Sequence, residues 1–163
     1  MAYVSTNLQK KYKEFTADGG CTNGEFTQGS VTTVLEIMEE LGLTKDNVVV
    51  DCGCNYGYMC YVFAGVVGCS SYGIKIESKR SRIAMAAYLK IANDPELLIL
   101  LSQRIAHIPG DLNWVDNYPS FATHVWMFDN AWPNSTVLHT YDKLAAIPGL
   151  KMIVTGKALK EHF

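Results

Sequence analysis

The segment from Val48 to Phe63, VVVDCGCNYGYMCYVF, combines one carboxylate, three cysteines and two glycines directly after a β-branched run. Two kinds of chemistry suit such a segment. One is a thiolate site for a metal ion or for redox exchange. The other is a tight glycine loop that holds a cofactor at the end of a strand.

The spacing of the cysteines and histidines does not favour a metal site. Cys52 and Cys54 form a CxC pair, whereas zinc sites combine CxxC-like pairs or place cysteine near histidine. The four histidines are scattered, and five cysteines are an odd number, which argues against a complete disulfide framework. We therefore predict no metal site and interpret the cysteines as small apolar fillers around a loop.

The glycine loop has the pattern D-x-G-x-x-x-G, formed by Asp51, Gly53 and Gly57. Glycine lets the backbone turn tightly and approach a ligand closely, and Asn55 tolerates the left-handed conformation better than most residues. The pattern is neither the GxGxxG dinucleotide fingerprint nor a phosphate-binding P-loop. An acidic residue at the strand end instead suits a cationic or hydroxyl-bearing ligand.

Apolar periodicity predicts alternating helices and strands around this loop. The predicted helices cover residues 31–41 (with Ser30 as N-cap), 58–67, 82–91, a segment from 94 and 135–146. The predicted strands cover residues 48–50, 71–76, 106–108, 124–128 and 151–155. This alternation predicts an α/β fold with a mostly parallel sheet and helices on both faces. The chain ends about eight residues after the fifth strand, so we expect a sheet without the last strands of a complete doubly wound fold.

Composition narrows the classes of partner. The net charge is −2, so the composition does not indicate a nucleic-acid partner. No apolar run reaches the roughly 20 residues that a membrane-spanning helix needs. The N-terminus lacks the apolar core of a signal peptide, so an intracellular location is expected.

The loop resembles motif I of class I S-adenosylmethionine-dependent methyltransferases. The wider chain resembles the DOT-type (disruptor of telomeric silencing) histone lysine methyltransferases, which share this Rossmann-like fold. The segments that carry this resemblance are GEFTQGSVTTVL (24–35), VVVDCGCNYG (48–57), SYGIKI (71–76), PGDLNW (109–114), VWMFDNAW (125–132) and IVTGKAL (153–159). Their order predicts one domain over residues 1–163, with an N-terminal segment (1–23) and a methyltransferase core (24–159).

The resemblance implies S-adenosyl-L-methionine as the cofactor and gives each matching residue a role. Asp51 would face the methionine ammonium, where charge-assisted hydrogen bonds are strong. Asp111 would accept from the adenine amino group, with Leu112 against the ring, although Asp111 also suits a simple turn. The full predicted cofactor set is Glu25, Phe26, Thr27, Asp51, Gly53, Asn55, Gly57, Lys75, Glu77, Asp111 and Leu112.

The chain departs from the family at several of these positions. Lys75 stands where the family has an acid that holds the ribose hydroxyls, and lysine offers no acceptor. Glu77, two residues further on, is the candidate to reach the ribose instead. Asn55 replaces a glycine, Tyr58 a glutamine and Leu112 an aromatic residue.

The predicted catalytic residues are Asp129, Asn130 and Trp132. The family's Asn-Asn-Phe reads Asp-Asn-Ala here, and a carboxylate would accept hydrogen bonds from a target amine and stabilise its developing charge. The tetrad Asp-Asn-Ala-Trp also resembles the motif of amino-directed methyltransferases. Trp132 would line a lysine channel through cation–π contact or stack on a flipped base. Trp126, inside a buried strand, is expected in the core.

Three functional hypotheses remain open at this point. The first is a protein-lysine N-methyltransferase that acts on a histone, in a nucleosome, or on another protein. Such an enzyme would be nuclear if histones are its substrate and cytoplasmic otherwise. The second is methylation of an amino group on a nucleic-acid base, which the net charge disfavours. The third is a non-catalytic methyltransferase-fold binding module, with a homodimer covering its sheet edge.

Overall fold

A computed structural model shows a parallel sheet with helices on both faces. The structure describes residues 28–55, 57–75, 79–95, 104–113, 118–129 and 132–156. In chain order its elements are α1 (Gln28–Glu40), β1 (Val48–Cys52), α2 (Tyr58–Val62) followed by a π-helical turn (Phe63–Val67), β2 (Ser70–Lys75), α3 (Lys79–Ala92), β3 (Ile105–Pro109), β4 (His124–Met127), α4 (Asn134–Ala145) and β5 (Met152–Thr155).

Two local predictions were wrong in detail. Helix α1 begins at Gln28, so Ser30 lies within its first turn and is not the N-cap. The helix predicted over residues 58–67 changes to π-helical geometry at Phe63. The amide of Gly68 donates to the carbonyl of Phe63, five residues back, which closes the wider turn. Most of the helix predicted from residue 94 lies outside the described residues.

The order of strands in the sheet is β3-β2-β1-β4-β5, and every neighbouring pair is parallel. These five strands in the described part of the chain confirm the predicted parallel α/β sheet. The order reverses between β1 and β4, and ligands of such sheets bind in the crevice at the carboxyl ends of these strands.

The register brings those carboxyl ends to one edge. Cys52, the last residue of β1, lies opposite Ile74 of β2 and Met127 of β4. Lys75 lies opposite Pro109, and Met127 lies opposite Thr155. The segments that follow all five strands therefore start from the same side of the sheet.

Two apolar layers hold this edge in place. On one face, α1 and the π-helical turn pack Met38 and Phe63 against Val49 of β1. On the other face, α4 packs Leu144 against Val125 of β4. A sheet covered on both faces needs strands that are apolar on both sides, which explains the continuous apolar runs in the sequence. Within the described ranges, no helix combines the length and the apolarity needed to cross a bilayer.

Candidate functional site

The glycine loop after β1 is a compact turn built from left-handed residues. Gly53 and Gly57 have φ of +77° and +81°, and Asn55 has φ of +49°. The amides of Gly53 and Cys54 both donate to the carbonyl of Ile74, at 2.9 and 3.1 Å. The loop is therefore fixed to the end of β2, and Asn55 adopts the conformation that its residue type favours.

Both loop glycines pack against side chains from other strands. A Cβ atom on Gly53 would overlap the indole ring of Trp132, and one on Gly57 would lie 2.5 Å from Cε1 of His107. These positions need glycine for close packing as well as for the sign of φ. The loop thus lies directly against residues from β3 and from the segment after β4.

Asp51 is a buried carboxylate at the base of this loop. It is 5% exposed, and the thiol of Cys60 donates to its Oδ2 at a sulfur–oxygen distance of 3.9 Å. Burial raises the pKa of Asp51 to about 7. A cationic group bound beside this carboxylate would favour its ionised form.

Lys75 closes the loop from the end of β2. Its side chain is buried, and its Nζ donates to the backbone carbonyl of Asn55 at 2.8 Å. Burial lowers the pKa of this lysine. In the place of an acid that would hold a ribose, the chain therefore has a charged side chain that braces the glycine loop. Glu77 lies outside the described residues.

Asp111 and Leu112 form a turn directly after β3. The Oδ1 atom of Asp111 accepts from the backbone amide and the side-chain Nδ2 of Asn113, both at 2.9 Å. Leu112 is buried in the core, and its carbonyl accepts from the hydroxyl of Tyr118. Asp111 has the turn geometry that its position after glycine favours, at the same sheet edge as the glycine loop.

Asp129 ties the end of β4 to the end of β5. It is fully buried, and its Oδ1 accepts from Thr155 Oγ1 at 2.8 Å and from the amide of Gly156 at 3.0 Å. The amide of Trp132 donates to the Asp129 carbonyl at 2.9 Å, which turns the chain back toward the glycine loop. Trp126 is buried in the core, as predicted.

The structure brings one predicted catalytic residue into contact with the predicted cofactor loop, and it brings two predicted cofactor residues together. Trp132 meets Gly53, and Lys75 meets Asn55 within the loop. Asp111 follows β3 and Asp129 follows β4, so β2 and β1 separate them in the sheet. Five predicted site residues, Glu25, Phe26, Thr27, Glu77 and Asn130, lie outside the described residues.

One cluster was missed by the sequence analysis. The ligand-type atoms of Cys54, Cys60 and His107 all lie within 4.8 Å of one another. Burial lowers the pKa of His107 to about 4. The cluster joins a loop, a helix and a strand that are distant in sequence, so the spacing of cysteines and histidines along the chain gave no signal. The strand order and register would have been needed to find it.

Comparison with known families gives one match. The model of the family described as Histone methylation protein DOT1 matches residues 2–119, which is well over half of the chain. No curated protein matches the chain as a relative.

Solved structures share the fold. The chain is similar to an RNA methyltransferase from Salinibacter ruber in complex with S-adenosyl-L-homocysteine, with 19% identity and a TM-score of 0.57 over 81% of this chain and 76% of that one. It is also similar to an S-adenosylmethionine-dependent methyltransferase from Geobacter sulfurreducens in complex with the same ligand. That match has 21% identity and a TM-score of 0.61, and it covers 91% of this chain and 55% of the other. The chain thus spans just over half of the Geobacter protein. Both likenesses confirm the predicted Rossmann-like class I fold.

Proposed function

This chain belongs to the histone methylation protein DOT1 family of S-adenosylmethionine-dependent methyltransferases, and on that premise we propose that it methylates a lysine side chain of a histone or of another protein. The observation that carries the proposal is the contact of Gly53 with Trp132. It joins the loop after β1 to the predicted active-site tetrad after β4, across the point where the strand order reverses.

The residues around the loop fit the cofactor. Among the described residues, the hydrogen-bond donor to the Asp51 side chain is the weak thiol of Cys60, so this buried carboxylate suits a cationic partner such as the methionine ammonium. Gly53 and Gly57 permit close approach of a ligand. Asp111 is the candidate for the adenine amino group. The sequence further assigns Glu25, Phe26, Thr27 and Glu77 to this set. Once bound, S-adenosyl-L-methionine supplies an activated methyl group.

The residues after β4 suit the handling of an amine. Asp129 is held by two donors on one oxygen, so its carboxylate is fixed before a substrate arrives. A carboxylate beside the target nitrogen accepts its N–H and offsets the positive charge that develops on it. The half-buried indole of Trp132 offers an aromatic face beside the loop, where a lysine chain can lie.

The same indole face also favours a second candidate, methylation of an amino group on a nucleic-acid base. Aromatic faces stack on unpaired bases, and the tetrad that ends in Trp132 resembles that of amino-directed enzymes. Transfer of label to histones or to oligonucleotides distinguishes these two substrates.

Cofactor binding is tested first, by calorimetric titration of S-adenosyl-L-methionine into the wild-type chain, Gly53→Ala and Gly42→Ala. Alanine at left-handed φ costs about 1–2 kcal/mol in either variant. Only at Gly53 would its Cβ also displace an indole ring, since nothing lies within 4 Å of a Cβ on Gly42. We expect micromolar binding by the wild type and by Gly42→Ala, and binding weakened by roughly tenfold or more in Gly53→Ala.

Wild-type protein that binds nothing at millimolar cofactor would overturn the enzyme proposal and leave a binding module. Equal weakening in both glycine variants would show a general effect of backbone strain and would contradict contact between the loop and the cofactor.

The substrate is then tested with methyl-labelled cofactor offered to nucleosomes, free histones and single-stranded oligonucleotides. The variant is Asp129→Asn, and its control is Asp142→Asn on the exposed side of α4. We expect label on histone lysine that is lost in Asp129→Asn and kept in Asp142→Asn. Label on the oligonucleotide would select the base methyltransferase. Label on none of the three, with cofactor binding intact, would overturn the choice of substrate.

A further inference from the structure

We propose that Cys54, Cys60 and His107 form a zinc site beneath the glycine loop. Their two sulfur atoms and one imidazole nitrogen lie within 4.8 Å of one another, and they come from the loop after β1, from α2 and from β3. Zinc prefers thiolate and imidazole ligands, and three protein ligands with an open fourth position are a common arrangement. This inference goes beyond the proposed function and does not depend on it.

The register of the sheet creates the space for such an ion. Asp51 of β1 lies opposite Gly73 of β2, and Gly73 lies opposite His107 of β3. These three residues form a row across the sheet in which the middle member has no side chain. A Cβ atom on Gly73 would lie 2.6 Å from the sulfur of Cys54 and 2.9 Å from that of Cys60. Both sulfurs therefore lie over the glycine, beside the histidine.

His107 gives the second, independent observation. Both of its ring nitrogens are buried, and neither has a hydrogen-bond partner among the described residues. Buried polar atoms normally have a partner, because leaving them unsatisfied costs free energy. A metal ion bound at one nitrogen would provide that partner. The buried imidazole is held in its neutral form, which is the form that binds metals.

The charges of the site balance in a buried setting. The thiols of Cys54 and Cys60 are close enough to hydrogen-bond to each other, and both are buried. Binding of Zn²⁺ would release both thiol protons, so two thiolates and one divalent cation give a neutral group. The free-energy cost of burying this neutral group away from water is therefore small.

The distances require only a local contraction. Zinc binds sulfur at about 2.3 Å and nitrogen at about 2.0–2.1 Å, so tetrahedral ligand atoms stand roughly 3.4–3.8 Å apart. The present atoms lie within 4.8 Å of one another, so binding of the ion would draw them closer together. Water is the candidate fourth ligand, which keeps the bound group neutral. The ion would clamp the glycine loop to β3.

Cobalt is the probe, because its thiolate complexes absorb in the near ultraviolet and its tetrahedral sites absorb in the visible. The full chain is titrated with Co²⁺ in a reducing buffer without cofactor, and Zn²⁺ is then added. We expect one equivalent of Co²⁺ with both absorptions, displaced by Zn²⁺. The variants are Cys54→Ser, Cys60→Ser and His107→Gln, and the control is Cys69→Ser, another buried thiol.

Loss of a true ligand should weaken Zn²⁺ binding by more than the roughly 10- to 100-fold that follows loss of a residue that only orients a ligand. Cys69→Ser should bind as the wild type does. Absence of thiolate absorption in the wild type, or equal absorption in all four variants, would overturn the proposal.

A second measurement keeps the test valid if a ligand variant fails to fold. Cysteine alkylation of the wild-type chain, with and without Zn²⁺, is mapped by mass spectrometry. We expect Zn²⁺ to slow labelling of Cys54 and Cys60 by roughly tenfold or more while Cys69 is unchanged. Uniform protection of all three would indicate general stabilisation and would contradict a site at this position.

Discussion

Asp51 carries an energetic cost that its proposed role in cofactor binding would explain. As a strand residue it lies in the interior, where a carboxylate prefers to stay protonated. The folded chain accepts this penalty at the base of the glycine loop, where a cationic ligand would relieve it. A buried, weakly satisfied carboxylate at a strand end is a sign of function rather than of stability.

The penalty predicts a pH dependence of folding. Burial raises the pKa of Asp51 from 3.8 to about 7, so between these values the folded chain holds a proton that the unfolded chain has lost. The free energy of unfolding therefore falls as pH rises through this window. The pKa of Asp51 rises by about 3 units, and each unit corresponds to about 1.4 kcal/mol. Ionisation of Asp51 can therefore lower the free energy of unfolding by up to about 4 kcal/mol.

Asp51→Asn cannot ionise and should lack this dependence. Urea unfolding of wild type and variant, from about pH 5 to pH 8 with a chelator present, measures it. We expect the variant to gain stability relative to the wild type as pH rises. Asp142→Asn, at an exposed position, should show no such trend. A difference between Asp51→Asn and wild type that does not change with pH would contradict the raised pKa.

At the scale of elements, the glycine loop is held mainly by hydrogen bonds to the end of β2. Backbone amides of Gly53 and Cys54 reach the end of β2, and Lys75 donates to the carbonyl of Asn55. Lysine replaces the acid expected at this position, and its charged head is directed at the loop. These hydrogen bonds therefore fix the loop to the end of β2 as one rigid unit.

Removal of the lysine head should loosen that unit. A hydrogen bond from a charged group contributes about 1.5–3 kcal/mol. In Lys75→Met we expect hydrogen exchange at the amides of Gly53, Cys54 and Gly57 to accelerate by roughly 10- to 100-fold, with α4 unchanged. Mass-spectrometric exchange over this segment measures the effect.

Lys151→Met, at an exposed position before β5, is the matched control and should leave the loop protected. Loop amides that exchange equally in Lys75→Met and in the wild type would show that the lysine is not a brace.

At the scale of the whole molecule, the site depends on a sheet that is covered on both faces. The layer under α4 anchors β4, whose end carries Asp129 and leads to Trp132. Leu144 of α4 is fully buried in this layer, whereas Leu138 of the same helix is 42% exposed.

The two leucines predict different costs of truncation. Leu144→Ala should lower the free energy of unfolding by about 2–5 kcal/mol, because it leaves a cavity in a packed layer. Leu138→Ala should change it by no more than about 0.5 kcal/mol. Denaturant unfolding of the two variants measures this, and equal losses would contradict the assignment of α4 to the second core layer.

Local patterns in the sequence were enough to predict the helices, the strands and the glycine loop of the described residues. Apolar periodicity depends on the nearest turns of chain, so it predicted the strands and helices of the described residues to within a few positions. Gly53, Asn55 and Gly57 adopt left-handed conformations that follow from their own residue types. The family was also visible in the sequence, because its motifs are short and keep their order along the chain.

Only the tertiary structure decided which distant groups meet. The contact of Trp132 with Gly53 and the row formed by Asp51, Gly73 and His107 depend on strand order and register. Parallel strands are joined by long crossovers, so residues that face each other across the sheet share no spacing along the chain. For this reason the sequence determined the glycine loop and its family, while the fold determined the aromatic neighbour of the loop and the cysteine–histidine cluster beneath it.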